Sequence, residues 1–395
     1  MAFPHHQRAA AFGLGTVLIS GAGQTYFIGL FGAELRDAFG LSEAALGTIY
    51  GGATLVSGLL MFWLGAMADR MPLGRALAIA LTCLIAGALV MASAPHPALL
   101  LPGFLLLRLG GQGLCGHIGI VAAARHAGPR RGTALSIAAF GFVIGEALWP
   151  MLVSASLGLM PWRWVWGGTA LVVLVAGWPL LGWLAAPLPP PDAAAGHGTA
   201  PLRRRTLMTS PRFLAALSVV LVPPFMITAV FFHQSSVGAV KGWALGDIAS
   251  AFAAYAAAQA TANWFTGRAV DRLGSVAVLR LQLLPLVPAM LALAWLPSGA
   301  GPWPVFALLG AMSGASQVNA GALWAELFGT EQMGMVRGVA AAIMVVATAL
   351  APPLLGLALG AGLPLAAWCL PAAAYAVVVP LLVARTLTPA RAPAT

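Results

Sequence analysis

The chain has 395 residues, 60% hydrophobic and only 8% charged, with a mean hydropathy of +0.91. A soluble domain carries roughly 25% charged residues, so this composition excludes one and points to a lipid bilayer. The net charge of +10 is scattered over helix ends rather than gathered in a patch, which argues against a nucleic-acid partner.

A bilayer core of about 30 Å needs about 20 apolar residues per helix. Twelve such runs use nearly the whole chain and leave no room for a soluble domain. Helix 1 is expected over Phe12 to Gly32, retained rather than cleaved as a signal peptide, with a polar, glycine-rich middle at Ser20 to Tyr26. Ser42 and Glu43 start helix 2 as a cap and a first-turn acid. Helix 2 runs to about Gly65, and helix 3 takes Ala76 to Ser93. Pro95 and Pro97 mark the next turn. Helix 4 covers about Leu99 to Arg125, helix 5 Thr133 to Leu157, and helix 6 ends near Ala186 after an aromatic edge at Trp162, Trp164 and Trp166.

Residues 187–212 hold Pro189-Pro190-Pro191, small residues and Arg203-Arg204-Arg205, a composition that cannot bury a core. They read as a cytoplasmic tether. Helix 7 is expected at Phe213 to Gln234, helix 8 at Asp247 to Thr266, helix 9 at Val276 to Leu296 and helix 10 at Trp303 to Leu327. Helices 11 and 12 are expected at Gly338 to Leu359 and Leu363 to Ala384. The expected fold is an all-α membrane protein, with twelve transmembrane helices in two pseudo-symmetric six-helix bundles, residues 1–186 and 213–395.

A repeat supports the two bundles. Gly65, Asp69 and Arg70 return as Gly267, Asp271 and Arg272 at an offset of 202 residues, in a charged turn between apolar runs. Arg131-Gly132 before helix 5 returns as Arg337-Gly338 before helix 11. Most arginines fall at alternate helix ends, and only Arg36, Arg163 and Lys241 fall at the others. The positive-inside rule then places both termini and the tether in the cytoplasm of a multi-pass cell-membrane protein. Cys83, Cys115 and Cys369 are odd in number and lie inside apolar runs, so no disulfide framework or metal site is expected. No Walker-type sequence or other cofactor motif is present, and neither a cofactor nor enzymatic activity is expected.

At these residues the chain resembles the major facilitator superfamily over essentially its whole length. Gly65 to Arg75 is similar to that family's signature, G-x-x-x-D-R-x-G-R, with Met71-Pro72-Leu73 lengthening the middle by two residues. The second copy keeps the usual spacing and ends in Ser275. Arg108, Gly110, Gln112 and Gly113 are similar to the helix 4 arginine-glycine motif. Gly141 and Gly145 resemble the start of the helix 5 antiporter motif, with Glu146 where proline would follow. Ala351 to Gly356 is loosely similar to monocarboxylate-type members. The resemblance implies a gating role for Gly65, Asp69, Arg70, Arg75, Gly267, Asp271 and Arg272. It also implies that helices 1, 4, 7 and 10 line a cavity.

Those helices supply matching polar residues: Gln24, Thr25 and Tyr26; Arg108 and Gln112; Thr228, His233 and Gln234; Ser313, Ser316, Gln317 and Asn319. His233 is in addition a candidate proton relay. Arg108 and Glu146 are the charges placed deep in the bilayer, where ionic groups are expensive and usually functional. Arg108 lies ~26 Å and Glu146 ~20 Å from the inner helix ends at 1.5 Å per residue. A long arginine side chain spans that difference, so a buried Arg108–Glu146 pair is expected, either broken and remade by a proton or substrate or purely structural, with an unpaired arrangement as the remaining alternative. The chain reads as a monomeric secondary transporter for a small organic solute, an organic anion in first place, coupled to protons. The alternative is a proton-driven drug exporter.

Overall fold

A computed structural model describes residues 5–68, 70–188, 204–329 and 332–387, and these contain helices and turns but no strand. Helix 1 is made of His5–Ser20, Thr25–Ile28 and Gly32–Phe39 joined by tight turns. Helix 2 is Glu43–Ala68, helix 3 Leu73–Ser93, helix 5 Arg131–Leu157 and helix 8 Leu245–Leu273. Helix 10 is Trp303–Phe328, helix 11 Met333–Gly360 and helix 12 Leu365–Thr386. Helix 4 runs from Leu100–Leu107 through a wide turn at Arg108–Cys115 into Gly116–His126. Helix 6 spans Trp162–Val172 and Trp178–Ala185 with a similar wide turn between. Helix 7 consists of Pro211–Val220, Val222–Phe232 and Gln234–Lys241, and helix 9 of Ser275–Leu279 and Leu286–Trp295.

Among the described residues, eight helices are each long and apolar enough to cross a bilayer, and the two parts of helix 1, bent by 41°, make a ninth. Helices 8 and 10 fall short because they carry polar groups such as Gln259, Asn263, Ser316 and Asn319 within the span. Helix 9 is broken ahead of Pro285–Leu286, where proline removes a backbone donor. Trp63, Trp164 and Phe265 are 69%, 71% and 60% exposed, as side chains bathed in lipid should be.

The repeat is deeper than the signature turns. Helix 1 ends in the eight-residue segment Gly32–Phe39 and helix 7 in the eight-residue segment Gln234–Lys241. Gly40 at φ 63° and Gly242 at φ 67° stop them, 202 residues apart. Both positions require the left-handed conformation that glycine adopts without strain. Ser42 caps helix 2, its Oγ accepting the Ala45 N–H at 3.2 Å.

Two expectations change. The second signature is not a turn: helix 8 continues through Asp271 and Arg272 to Leu273 and stops at Gly274 with φ 81°. Its residues are acceptable helix formers, so the helix ends only where glycine permits. The tether is shorter than 187–212. Leu188 is buried, and Arg204–Met208 is helical with Leu207 fully buried, while residues 189–203 lie outside the described residues.

Within the bundles, helix 1 packs on helices 4 and 5, helix 3 on helix 6, helix 8 on helix 10, and helix 9 on helix 12. The halves meet along helix 2 with helix 11 and helix 5 with helix 8, pairings that a two-fold exchanging the halves would interconvert. The first contact relies on glycine. A Cβ on Gly51 would strike the Ala349 carbonyl, and one on Gly47 would lie 2.7 Å from the Pro352 carbonyl. Overpacking of this kind costs about 1–3 kcal/mol. Gly51→Val is therefore expected to hold helices 2 and 11 apart and cut the closed population at this end about tenfold, read by cross-linking across the two helices.

Candidate transport cavity

A cavity of about 590 Å³ lies between the bundles. Helix 1 gives it Gln24, Thr25 and Tyr26, helix 2 gives Thr54, Ser57 and Met61, helix 4 gives Arg108 and Gln112, and helix 5 gives Glu146. The second half gives Thr228 and Phe231 from helix 7, Tyr255 from helix 8, Ser313, Ser316 and Gln317 from helix 10, and Val345 and Thr348 from helix 11. Each bundle therefore contributes a wall. The first wall holds both charges, and the second is neutral but polar.

Arg108 owes its place to a local irregularity. Residues Arg108–Cys115 read RLGGQGLC and form a π-helical stretch, a widened form that glycines tolerate and that recurs at functional sites. Helix 1 approaches this stretch at backbone distance, since a Cβ on Gly111 would sit 2.7 Å from the Gly23 Cα. The guanidinium is thus brought against helix 1. Its Nη1 donates to Thr25 Oγ1 at 3.2 Å, and Thr25 Oγ1 shares a hydrogen bond of 2.7 Å with the Tyr50 hydroxyl. The Tyr50 ring lies 5.3 Å from Arg108 Cζ and stacks on Phe232 at 4.2 Å. Arg108 is 5% exposed.

The pairing expected between Arg108 and Glu146 is not made. Helix 1 intervenes: Thr25 takes Arg108, while the next residue, Tyr26, sets its phenol against Gly145, a Cβ on which would lie 3.0 Å from the hydroxyl. Glu146 instead faces Tyr26, Tyr255 and Gln259. Its Oε2 is buried without a hydrogen-bond partner. Behind it Gln259 Nε2 donates to Ser313 Oγ at 3.2 Å, and Gln317 Nε2 donates to the same oxygen at 3.0 Å. The carboxyl therefore adjoins a hydrogen-bonded set on helices 8 and 10 of the other bundle.

Of the residues singled out from the sequence, Gln24, Tyr26, Arg108, Gln112, Thr228, Ser316 and Gln317 border the cavity together with Glu146. Three do not. Gln234 Nε2 donates to the Tyr26 carbonyl at 2.8 Å, tying helix 7 to helix 1. Asn319 is fully buried and donates from Nδ2 to Gln282 Oε1 at 2.7 Å, between helices 10 and 9. His233 sits at the break in helix 7, with Nδ1 3.1 Å from Glu43 Oε2 and Nε2 2.8 Å from the Pro352 carbonyl. In each case a polar partner on a neighbouring helix turns the side chain away from the cavity, as buried polar groups require. Asn319→Leu is expected to lower stability by about 1 kcal/mol, the size of an interhelical hydrogen bond in a membrane, and to leave the KM of the folded protein unchanged in a transport assay.

Tyr50, Thr54, Ser57, Tyr255 and Gln259 were missed. Their signal is spacing: Tyr50, Thr54 and Ser57 follow i, i+4, i+7 on helix 2, and Tyr255 and Gln259 follow i, i+4 on helix 8. Each stripe reads as one polar face on an apolar helix.

The two ends of the cavity differ. At the end carrying Glu43 and His233, Arg36 donates to Ser236 Oγ at 2.6 Å and pairs with Glu43, while helices 2 and 11 touch at Gly47 and Gly51. At the basic end, Arg70, Arg75, Asp271 and Arg272 are exposed, and the space beside Gly267 is open. Gly65 is buried near the end of helix 2, and Asp69 lies outside the described residues. The cavity lining descends toward this basic end through Met61, Phe62, Val220 and Ala341.

Residues 13–352 match the family model described as Major Facilitator Superfamily. No curated protein matches the chain significantly. Among solved structures, a bacterial homologue of the human lysosomal transporter Spinster has a TM-score of 0.74 at 16% identity, covering 98% of both chains. The nucleoside transporter NupG has a TM-score of 0.73 at 14% identity, covering 98% of this chain and 100% of the other. At such identities the likeness is one of fold. The doubled six-helix plan, the cavity between the halves and the family match agree: this chain belongs to the Major Facilitator Superfamily.

Proposed function

We propose that the protein moves a small organic solute across the cell membrane by alternating access, coupled to protons, with both termini in the cytoplasm and the cavity open on that side. The observation that carries this reading is the cavity between the two six-helix bundles, sealed at one end and bordered by an arginine and a glutamate that are not paired with each other. Secondary transporters place substrate and coupling ion at such a midplane site, and the bundles rock around it. Arg108 is held by the hydroxyl of Thr25, which in turn bonds the Tyr50 hydroxyl, and by the face of the Tyr50 ring, all neutral. Its charge is left for the cargo, which makes a carboxylate or another organic anion the favoured substrate class. Glu146, with one oxygen unpartnered, is the proton carrier. Protonation would turn an acceptor into a donor beside Tyr255 and Gln259, and so alter the contact of helix 5 with helix 8.

The signature residues Asp69, Arg70, Arg75, Asp271 and Arg272 gate the basic end in this cycle. The test is uptake into proteoliposomes under an imposed pH gradient, with a panel of carboxylates, nucleosides and organic cations as competitors. Nucleosides belong in the panel because one structural neighbour is a nucleoside transporter. Gradient-driven uptake competed by carboxylates supports the reading. Competition by cations alone replaces it with a drug exporter, and absence of any gradient effect removes proton coupling.

A further inference from the structure

The sealed end of the cavity contains a latch whose atoms can be counted. His233 stands at the break in helix 7, 2% exposed, with each ring nitrogen within hydrogen-bond distance of an oxygen on a different helix. Nδ1 meets Glu43 Oε2 on helix 2 of the first half, and Nε2 meets the Pro352 carbonyl on helix 11 of the second. A carbonyl only accepts. An ionised carboxylate only accepts, and the Arg36 guanidinium on the other oxygen of Glu43 keeps it ionised. A neutral imidazole has one N–H, so with two acceptors one contact would set a ring lone pair against an oxygen. Both contacts become hydrogen bonds when the ring carries both protons.

We infer that the Glu43–His233–Pro352 latch is a proton-binding site separate from Glu146, and that closing this end of the transporter takes up a proton on His233. Desolvation of a charged ring and the nearby positive charge of Arg36 both oppose this, and the carboxylate and the carbonyl act against them together. When the halves part, helix 2 withdraws the Glu43 carboxylate, while the Pro352 carbonyl stays with helix 7 in the second bundle, and the ring, now open to water, loses the anion that held its second proton. Lower pH then favours the closed form, and higher pH releases it. The other ionisable groups on the packed elements have their own engagements or distances. Glu34 and Asp37 flank Arg36 on the end of helix 1, Lys241 donates to the Leu296 carbonyl at 2.5 Å, and Asp247 caps its own helix at Ala244. Tyr50 bonds Thr25 and stacks on Phe232, the neighbour of His233, so the latch adjoins the residues that hold Arg108.

This inference goes beyond the substrate reading and is tested without substrate. Spin labels at Ala38→Cys and Val240→Cys, both exposed positions flanking the latch, report the distance between the halves, with native cysteines replaced by alanine. In lipid nanodiscs between pH 5.5 and 8.5 the short-distance population is expected to rise as pH falls. The closed-to-open ratio should change by up to about tenfold per pH unit, the limit for one linked proton. His233→Gln should flatten the dependence, and Glu43→Gln should reduce it while keeping a residue of the same shape. A ratio that ignores pH, that rises with pH, or that keeps its slope in both variants overturns the inference. Loss of the slope in Glu146→Gln with its retention in His233→Gln assigns the proton to the cavity instead and also overturns it.

Discussion

Replacing Glu146 by glutamine is expected to abolish accumulation driven by a pH gradient while preserving substrate exchange between the two sides within about threefold. The reason is chemical. Glutamine keeps the size and hydrogen bonding of a protonated carboxyl but has no proton to give up. In the proposed cycle the side chain must lose its proton to return, whereas exchange needs only the loaded form. Proteoliposomes measure both: uptake into pH-jumped vesicles, and counterflow into vesicles preloaded with unlabelled solute. Gradient-driven accumulation that survives the substitution would remove Glu146 from the coupling role. The orphaned Oε2, beside Tyr26, Tyr255 and Gln259, is what separates this carboxyl from Glu326, which accepts from the backbone and hydroxyl of Ser275 and is structural.

Arg108→Ala is expected to lower anion transport about 100-fold, because removing one partner of a desolvated charge-assisted contact costs about 2–5 kcal/mol. Arg108→Lys should recover part of this, since lysine supplies a point charge but not the planar fork that grips a carboxylate. Thermal stability should change little in either variant: the arginine gives up only one bond to Thr25 and an aromatic contact with Tyr50. Initial uptake rates of labelled acids, set beside melting curves in detergent, check both parts. A lysine variant as inactive as alanine points to fork geometry, and an alanine variant with full activity removes the arginine from the path.

Composition, apolar runs and the repeated Gly-Asp-Arg sequence made the twelve-helix, two-bundle plan legible, because lipid forces every backbone polar group into a helix and leaves hydropathy as a direct record of topology. Deep charges were legible for the same reason: Arg108 and Glu146 stand out against an apolar background. Their partners were not. Which neighbour a buried side chain chooses depends on backbone irregularity, here the widened turn at Arg108 and the close crossing of Gly23 and Gly111, and neither follows from helical periodicity. Chain adjacency suggested that helices 4 and 5 would face one another directly, yet helix 1 passes between Arg108 and Glu146. His233 stands out in the sequence only as a titratable residue on helix 7. Its contacts to Glu43 and Pro352 join residues 190 and 119 positions away, beyond the reach of any local pattern.

Both ionic side chains that border the passage belong to the first bundle, on helices 4 and 5. They travel together whenever that bundle tilts, and while Glu146 is ionised their charges cancel. Reorientation of the empty carrier then displaces no net charge from this pair through the membrane field, where one elementary charge is worth about 2.3 kcal/mol per 100 mV. In the proposed cycle voltage acts through what has been loaded: an anion on Arg108 would contribute one sign and a proton on Glu146 the other. A monovalent anion carried with one proton would therefore cross electrically silent, and a divalent one would generate a current.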